Sequence, residues 1–325
     1  MIGSPSDRSV SPYAPTPELW LDQAIPISLE SMAAMPVQIR KPIPNRRRLL
    51  DIVKTCHGSR LQQEELTRSK DPRYIQRMAD EMLASNGLIE ASLDKFGNYY
   101  IQALVQVVDE RTLVRMASVL TSDQLVTEQV CKPISFCDLC THSFGSHVVQ
   151  VMIGRGSSSK ALSMKLIDAF LSNIAKISVD FLGSICIVQA LQKLVGVSKL
   201  VAGIAQFTRS LAQSRHGHSV VIEALNHASS QTLGVMEREL ICGDIDQMVS
   251  NDFAFRAIVH SLEMEKAGKV SEKHSRARLV ISHLNYNQKC FRLIDYLLRN
   301  FADHEAVQED LIPRVIEIVQ LGYVP

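Results

Sequence analysis

From about Arg46 onward, apolar residues return every three or four positions, as in "RRRLLDIVKT", "ERTLVRMASVL", "ALSMKLIDAFLSNIAKI" and "EDLIPRVIEIVQLGY". That period belongs to a helix with one buried face, so residues 46–325 are predicted to be almost entirely α-helical. Upstream the pattern stops. Eight of the twelve Pro lie between Pro5 and Pro44, in a Ser-rich stretch with neither a helical nor a strand period, which predicts a disordered leader over residues 1–45.

The helical part repeats itself. Laid side by side, "CHGSRLQQEEL", "DKFGNYYIQALVQ", "HSFGSHVVQVMI", "DFLGSICIVQALQ", "SRHGHSVVIEALN", "NDFAFRAIVHSLE" and, more faintly, "NQKCFRLIDYLLR" share one pattern. The polar residues that close these cores are Gln63, Gln102, Gln150, Gln189, Glu223, His260 and Asp295, at spacings of 39, 48, 39, 34, 37 and 35 residues. Self-similarity at such intervals predicts a stacked solenoid of two- or three-helix units, because one unit cannot bury its apolar face alone. The 48-residue interval contains "TSDQLVTEQVCKPISFCDLCTHSF" and is expected to hold an extra loop.

One core raises a chemical question. Asn98 and Gln102 stand four apart on a predicted helix with Tyr99 beside them, and amides cost free energy when buried without partners. Residues four apart share a helix face, so in a solenoid both amides are expected on the inner surface, facing a ligand.

These residues carry a resemblance to the Pumilio (PUF) RNA-binding repeat family. It covers roughly Arg46 to the C-terminus and is strongest at "HGSRLQQ", "FGNYYIQ" and "FGSHVVQ". The resemblance implies an all-α fold: a right-handed α-solenoid, a crescent of stacked three-helix repeats, here six to seven plus a C-terminal capping helix. It also implies that each repeat binds one base of single-stranded RNA, two residues four apart meeting the base edge and the residue after the first stacking on the base. Residue by residue, Ser59, Arg60 and Gln63 would hold adenine; Asn98, Tyr99 and Gln102 uracil; Ser146, His147 and Gln150 adenine; Ser219, Val220 and Glu223 guanine. Antiparallel binding then suits the first three repeats to an RNA ending 5′-AUA-3′.

The donor and acceptor chemistry fits. An amide matches the mixed edge of uracil, and a carboxylate suits the paired N–H donors of guanine. Tyr99 offers a flat face, while Arg60 and His147 stack as planar groups. The later cores depart from the pattern. In "FLGSICIVQ" the glycine stands six residues before Gln189 instead of five, so Ile185 and Cys186 fall where a reader and a stacker belong. "FAFRAIVH" offers Arg256, Ala257 and His260, which match no known pair, and a guanine reader is expected later in the array than the fifth unit. The chain is identified as an atypical member with degenerate C-terminal repeats.

The formal charge of +1 neither argues for a nucleic-acid partner nor excludes one. Seven scattered Cys, most within apolar helical patterns, suit reduced, buried thiols. Cys137, Cys140 and His142 in "CDLCTH" stand at zinc-compatible spacing, but a second pair is missing and core thiols are expected instead; no metal or cofactor is predicted. No nucleophile elbow or paired-carboxylate constellation argues for an enzyme. Neither a secretory signal nor an apolar run of membrane-spanning length occurs. The expectation is a cytoplasmic monomer, with a nuclear role open, that binds messenger RNA in 3′ untranslated regions and lowers its translation or stability through protein co-regulators. The alternative is a helical-repeat protein-interaction scaffold that has lost RNA binding. Arg46, Arg47 and Arg48 read as a solvated first turn, and Ser4, Ser11 and Thr16, each before a proline, as phosphorylation candidates.

Overall fold

A repeated local device starts the second helix of every unit. Thr55, Asp94, His142, Asp180, Ser214, Asn251 and Asn287 each accept a hydrogen bond from the backbone N–H three residues later, that of Gly58, Gly97, Gly145, Gly183, Gly217, Ala254 and Cys290. Such side chains satisfy donors that a helix start leaves orphaned. The glycines at this step are a packing requirement. A Cβ on Gly97 would lie 2.7 Å from the carbonyl oxygen of Ala91, and one on Gly145 2.8 Å from that of Leu139.

The computed structural model describes residues 49–84, 86–122, 125–127, 130–267 and 275–320. The leader, the Arg46–Arg48 triplet and the three phosphorylation candidates lie outside this set. The described residues form seven three-helix units. The first holds α1 (Leu49–Val53), α2 (Cys56–Arg68) and α3 (Pro72–Ala84); the second α4 (Gly87–Leu93), α5 (Gly97–Val107) and α6 (Glu110–Leu120). The third holds α7 (Phe136–Thr141), α8 (Gly145–Gly156) and α9 (Lys160–Leu171); the fourth α10 (Ile174–Val179), α11 (Phe181–Lys193) and α12 (Ser198–Ala205). Then come α13 (Thr208–Ala212), α14 (Gly217–His227) and α15 (Ser230–Ile241), followed by α16 (Ile245–Ser250), α17 (Asp252–Lys266) and α18 (Arg276–His283). A 3₁₀ turn, Gln288–Cys290, opens the seventh unit, with α19 (Phe291–Asn300) and a π-helical turn, Val307–Leu311, leading into α20 (Ile312–Gln320). The helix expected as a separate cap is therefore the third helix of this unit.

Second helices pack on second helices: α2 on α5, α5 on α8, α8 on α11, α11 on α14 and α14 on α17, and the third helices form a parallel ladder from α3 to α18. This is the α-solenoid that the helical period and the repeat demand. Between the ladders runs a continuous apolar core, in which Tyr100, Leu104, Val148, Met152, Ile187, Leu191, Val221 and Ile258 are all buried. Arg155 ties two units together by donating to the carbonyls of Val105, Gln106 and Val108, which the end of α5 leaves unpaired. None of the helices among the described residues is long and apolar enough to cross a membrane.

The long interval between the second and third units holds a strand pair. Strands β1 (Leu125–Thr127) and β2 (Val130–Ile134) run antiparallel, with Leu125 opposite Ile134 and Thr127 opposite Val130, and β1 packs against α4. The loop expected here is instead a short hairpin, in keeping with the β-branched residues of "LVTEQVCKPI".

Candidate nucleic-acid interface

With the register fixed at the glycine, the second helices of the second to fifth units turn the second, fifth, sixth and ninth residues after it at least partly outward and bury the first, third and fourth; elsewhere Leu61 is 48 % exposed while Val259 and Tyr296 are buried. In the first three units this brings the sequence-predicted triplets onto one strip. Tyr99 keeps 40 % of its surface in solvent, His147 is exposed and Arg60 partly so, which sets three planar groups in a row. Gln63, Gln102 and Gln150 flank them, half-buried. Glu64 lies 3.5 Å from the Arg60 guanidinium and helps to orient it.

The first member of each triplet is not where the sequence reading put it. Ser59, Asn98 and Ser146 do not share an exposed edge with their glutamines; they are buried beneath them, at 3 %, 1 % and 0 % exposure. Residues one step after the glycine face the next unit, and the Ser59 hydroxyl donates to the carbonyl of Phe96 there. Asn98 spends its amide hydrogens on the carbonyls of Asp94 and Lys95. Its oxygen accepts from Gln102 Nε2 at 2.8 Å, and the Ser59 hydroxyl accepts from Gln63 Nε2 at 2.9 Å. Ser59 and Asn98 therefore anchor Gln63 and Gln102, whose solvent-facing edge is the far side of the amide, whereas the Ser146 hydroxyl makes no such bond to Gln150.

In the later units the predicted register is off by one residue. Val220, expected to stack on guanine, is a core residue at 0 % exposure, as are Cys186 and Ala257. Closing each core at its polar residue places Gln189, Glu223 and His260 six steps after the glycine position, whereas Gln63, Gln102 and Gln150 stand five after it. The residues in the reader and stacker rows are instead Ser184, Ile185 and Val188; His218, Ser219 and Ile222; Phe255, Arg256 and Val259; and Phe291, Arg292 and Asp295. Ser219 and Arg256 thus lie in the stacking row. The signal that finds this register is in the sequence: the three-residue step from the capping side chain to Gly183, Gly217 and Ala254.

Side chains bridge the later units across the strip. His260 meets Asn226 at 3.1 Å, and the Tyr296 hydroxyl donates to Glu263 at 3.1 Å. Arg292 lies 4.0 Å over the Phe255 ring and pairs with Asp252. Glu223 is paired with His227 at 3.0 Å. His218 is buried against Phe253, its ring 5.0 Å away, and burial lowers its pKa.

The zinc-compatible residues are engaged elsewhere. Cys137 and Cys140 are buried in α7, and burial pushes both thiols up. His142 uses Nδ1 to accept from the N–H groups of Phe144 and Gly145, and burial lowers its pKa, so the neutral ring is favoured. Among the described residues no three such side chains gather in one place.

Comparison with known proteins places this arrangement. The Pumilio-family RNA binding repeat model matches residues 89–121 and 135–159, the second and third units. Pumilio homolog 9 of Arabidopsis thaliana is 38 % identical over 66 residues, which are 20 % of this chain and 10 % of that protein, so the match spans a tenth of the relative's length. The Puf4 RNA-binding domain bound to the HO endonuclease RNA 3′ UTR recognition sequence superimposes with a TM-score of 0.61 at 19 % identity, over 84 % of this chain and 79 % of that one. The PUM-HD domain of S. pombe Puf1 in complex with RNA gives 0.61 at 16 % identity, over 78 % and 66 %. Repeats that match the Pumilio-family RNA binding repeat in sequence thus lie in the second and third units of a solenoid that shares the Puf fold over most of its length.

Proposed function

We propose that this protein binds single-stranded RNA selectively through its first three units, accepting a 3′-terminal AUA in the 3′ untranslated regions of messenger RNA. The observation that carries the reading is the row of planar groups Arg60, Tyr99 and His147, each flanked by a glutamine five residues after a glycine. A base set against Tyr99 gains stacking energy. Gln102, anchored through Nε2, offers Oε1 and its remaining N–H to the N3–H and a carbonyl of uracil. The same geometry at Gln63 serves adenine, with Oε1 facing the exocyclic amine and the free N–H facing N1.

In this reading the protein acts as a monomer in the cytoplasm and lowers translation or message stability through recruited proteins. The half-buried apolar residues Val188 and Ile222 at the glutamine position favour the protein-scaffold alternative for the fourth and fifth units only.

The test measures binding of the purified chain to a short RNA ending in AUA beside the same RNA ending in AGA. Selection for U, with a preference moved toward G by combined Asn98→Ser and Gln102→Glu substitutions, is expected. Equal binding of both RNAs, lost at moderate salt, would reduce the interaction to phosphate attraction and refute the reading.

A further inference from the structure

In the fourth, sixth and seventh units the sixth residue after the glycine position reaches back across the strip to the preceding unit, whereas Glu223 of the fifth pairs with His227 of its own helix. In the sixth and seventh units, His260 and Tyr296 meet Asn226 and Glu263 of the unit before, outside the reader row. In the second and third units this position is Ala103 and Val151, which have no polar side-chain atom to offer. At one junction alone among these, the reaching side chain meets a reader: Gln189 Nε2 donates to Gln150 Oε1 at 3.2 Å.

The anchoring of Gln150 differs accordingly. Gln63 and Gln102 are held through Nε2 by Ser59 and Asn98 of their own units. Ser146, the equivalent residue beneath Gln150, is fully buried and its hydroxyl has no hydrogen-bond partner. Gln150 is held instead by its oxygen, from the neighbouring unit. An amide held by its oxygen turns its two N–H donors outward; one held by its nitrogen turns its acceptor outward.

We propose that Gln189, supplied by the fourth unit, is a specificity-determining residue of the third base site, fixing Gln150 as a donor; this rests on the RNA-reading function above. The central atom of a base's Watson–Crick edge is an acceptor in adenine (N1) and cytosine (N3) and a hydrogen-bearing donor in guanine (N1) and uracil (N3). A donor-presenting Gln150 therefore selects adenine and cytosine over guanine and uracil. With antiparallel binding, the selected base is the first of AUA. Gln189 is a positioning residue, acting on the base through Gln150.

The experiment uses the full chain and four RNAs that differ only in that first base, with the U-to-G change at the second position as an internal control. The unsubstituted protein is expected to favour A and C over G and U by about fivefold, the scale of one hydrogen bond. Gln189→Glu, which can only accept, draws Gln150 Nε2 toward itself and presents Oε1 to the base, so the ranking should invert toward G and U. Gln189→Ala should bring the four affinities together, with selection for U at the second position intact in both variants. If Gln189→Glu does not fold, Gln189→Ala decides alone: loss of ranking supports the proposal and an unchanged ranking overturns it. A ranking unmoved in the variants while U is still selected at the second position overturns this inference and leaves the RNA-reading function standing. Absence of selection at both positions in the unsubstituted protein overturns both.

Discussion

The first three units and the last four share a backbone device and differ in what hangs from it. Both groups start the second helix with a capping side chain three residues before a small residue, and both stack that helix on its neighbour. In the first group the outward rows carry Arg60, Tyr99, His147 and three glutamines; in the second they carry Ile185, Ser219, Val188 and Ile222, with Arg256, Arg292 and Asp295 further on and Val259 turned into the core. Packing constrains the buried third, fourth, seventh and eighth residues after the glycine, which are small or apolar in the second to fifth units, and leaves the first to small or internally satisfied side chains such as Ser59 and Asn98. The outward rows are therefore free to change without loss of the solenoid.

The largest effect that sharpens this contrast is expected at the stacking row. Tyr99→Ala should weaken RNA binding by about 1–3 kcal/mol, or roughly five- to 150-fold. The matching Ile185→Ala in the fourth unit should leave it unchanged. Filter-binding or anisotropy titrations of the two variants check this, and equal losses would erase the boundary between the groups.

A smaller effect is expected from moving the boundary. Ser184 already occupies the place of Ser146, so Ile185→His with Val188→Gln copies the third unit into the fourth. An RNA with an adenine added immediately 5′ of AUA should then bind about 1–2 kcal/mol more tightly than one with uracil there, from stacking and an edge contact. Substituting around Gln189 instead, one step past that row, should create no such selection at the added position.

The smallest effect is on stability. His142 caps α8 through an unprotonated Nδ1, and its pKa lies below the ordinary 6.5 in the folded state. The unfolded chain therefore binds the proton first as pH falls, and the contribution of His142, complete above pH 6.5, declines below it. His142→Asp substitutes the residue type found at this step in Asp94 and Asp180. The fall in Tm between about pH 7 and pH 5 should shrink in that variant, since a carboxylate stays ionised over most of the range. Melting curves that shift in parallel would remove His142 from the account.

Much of this was legible in the chain. The 3.6-residue period gave the helices, the recurrent cores gave the stack, and the planar residues Arg60, Tyr99 and His147 lie on the strip expected of them. In the later units the conspicuous polar residues do not mark the register. Gln189, Glu223 and His260 are conspicuous in sequence yet stand one step past the reader row, a rotation of about 100° on a helix. The capping residue and the small residue after it were the better guide, because backbone hydrogen bonding and a close carbonyl fix their positions.

The sequence by itself determined which segments are helical, that they repeat, and which residues can cap, since periodicity and capping are local properties of the chain. The tertiary structure alone decided that Ser59, Asn98 and Ser146 lie beneath their glutamines, that the 48-residue interval contains a hairpin, and that Gln150 is held by Gln189. Each of these depends on where a neighbouring unit, distant along the chain, brings its backbone or side chains, and helical spacing holds no record of that distance.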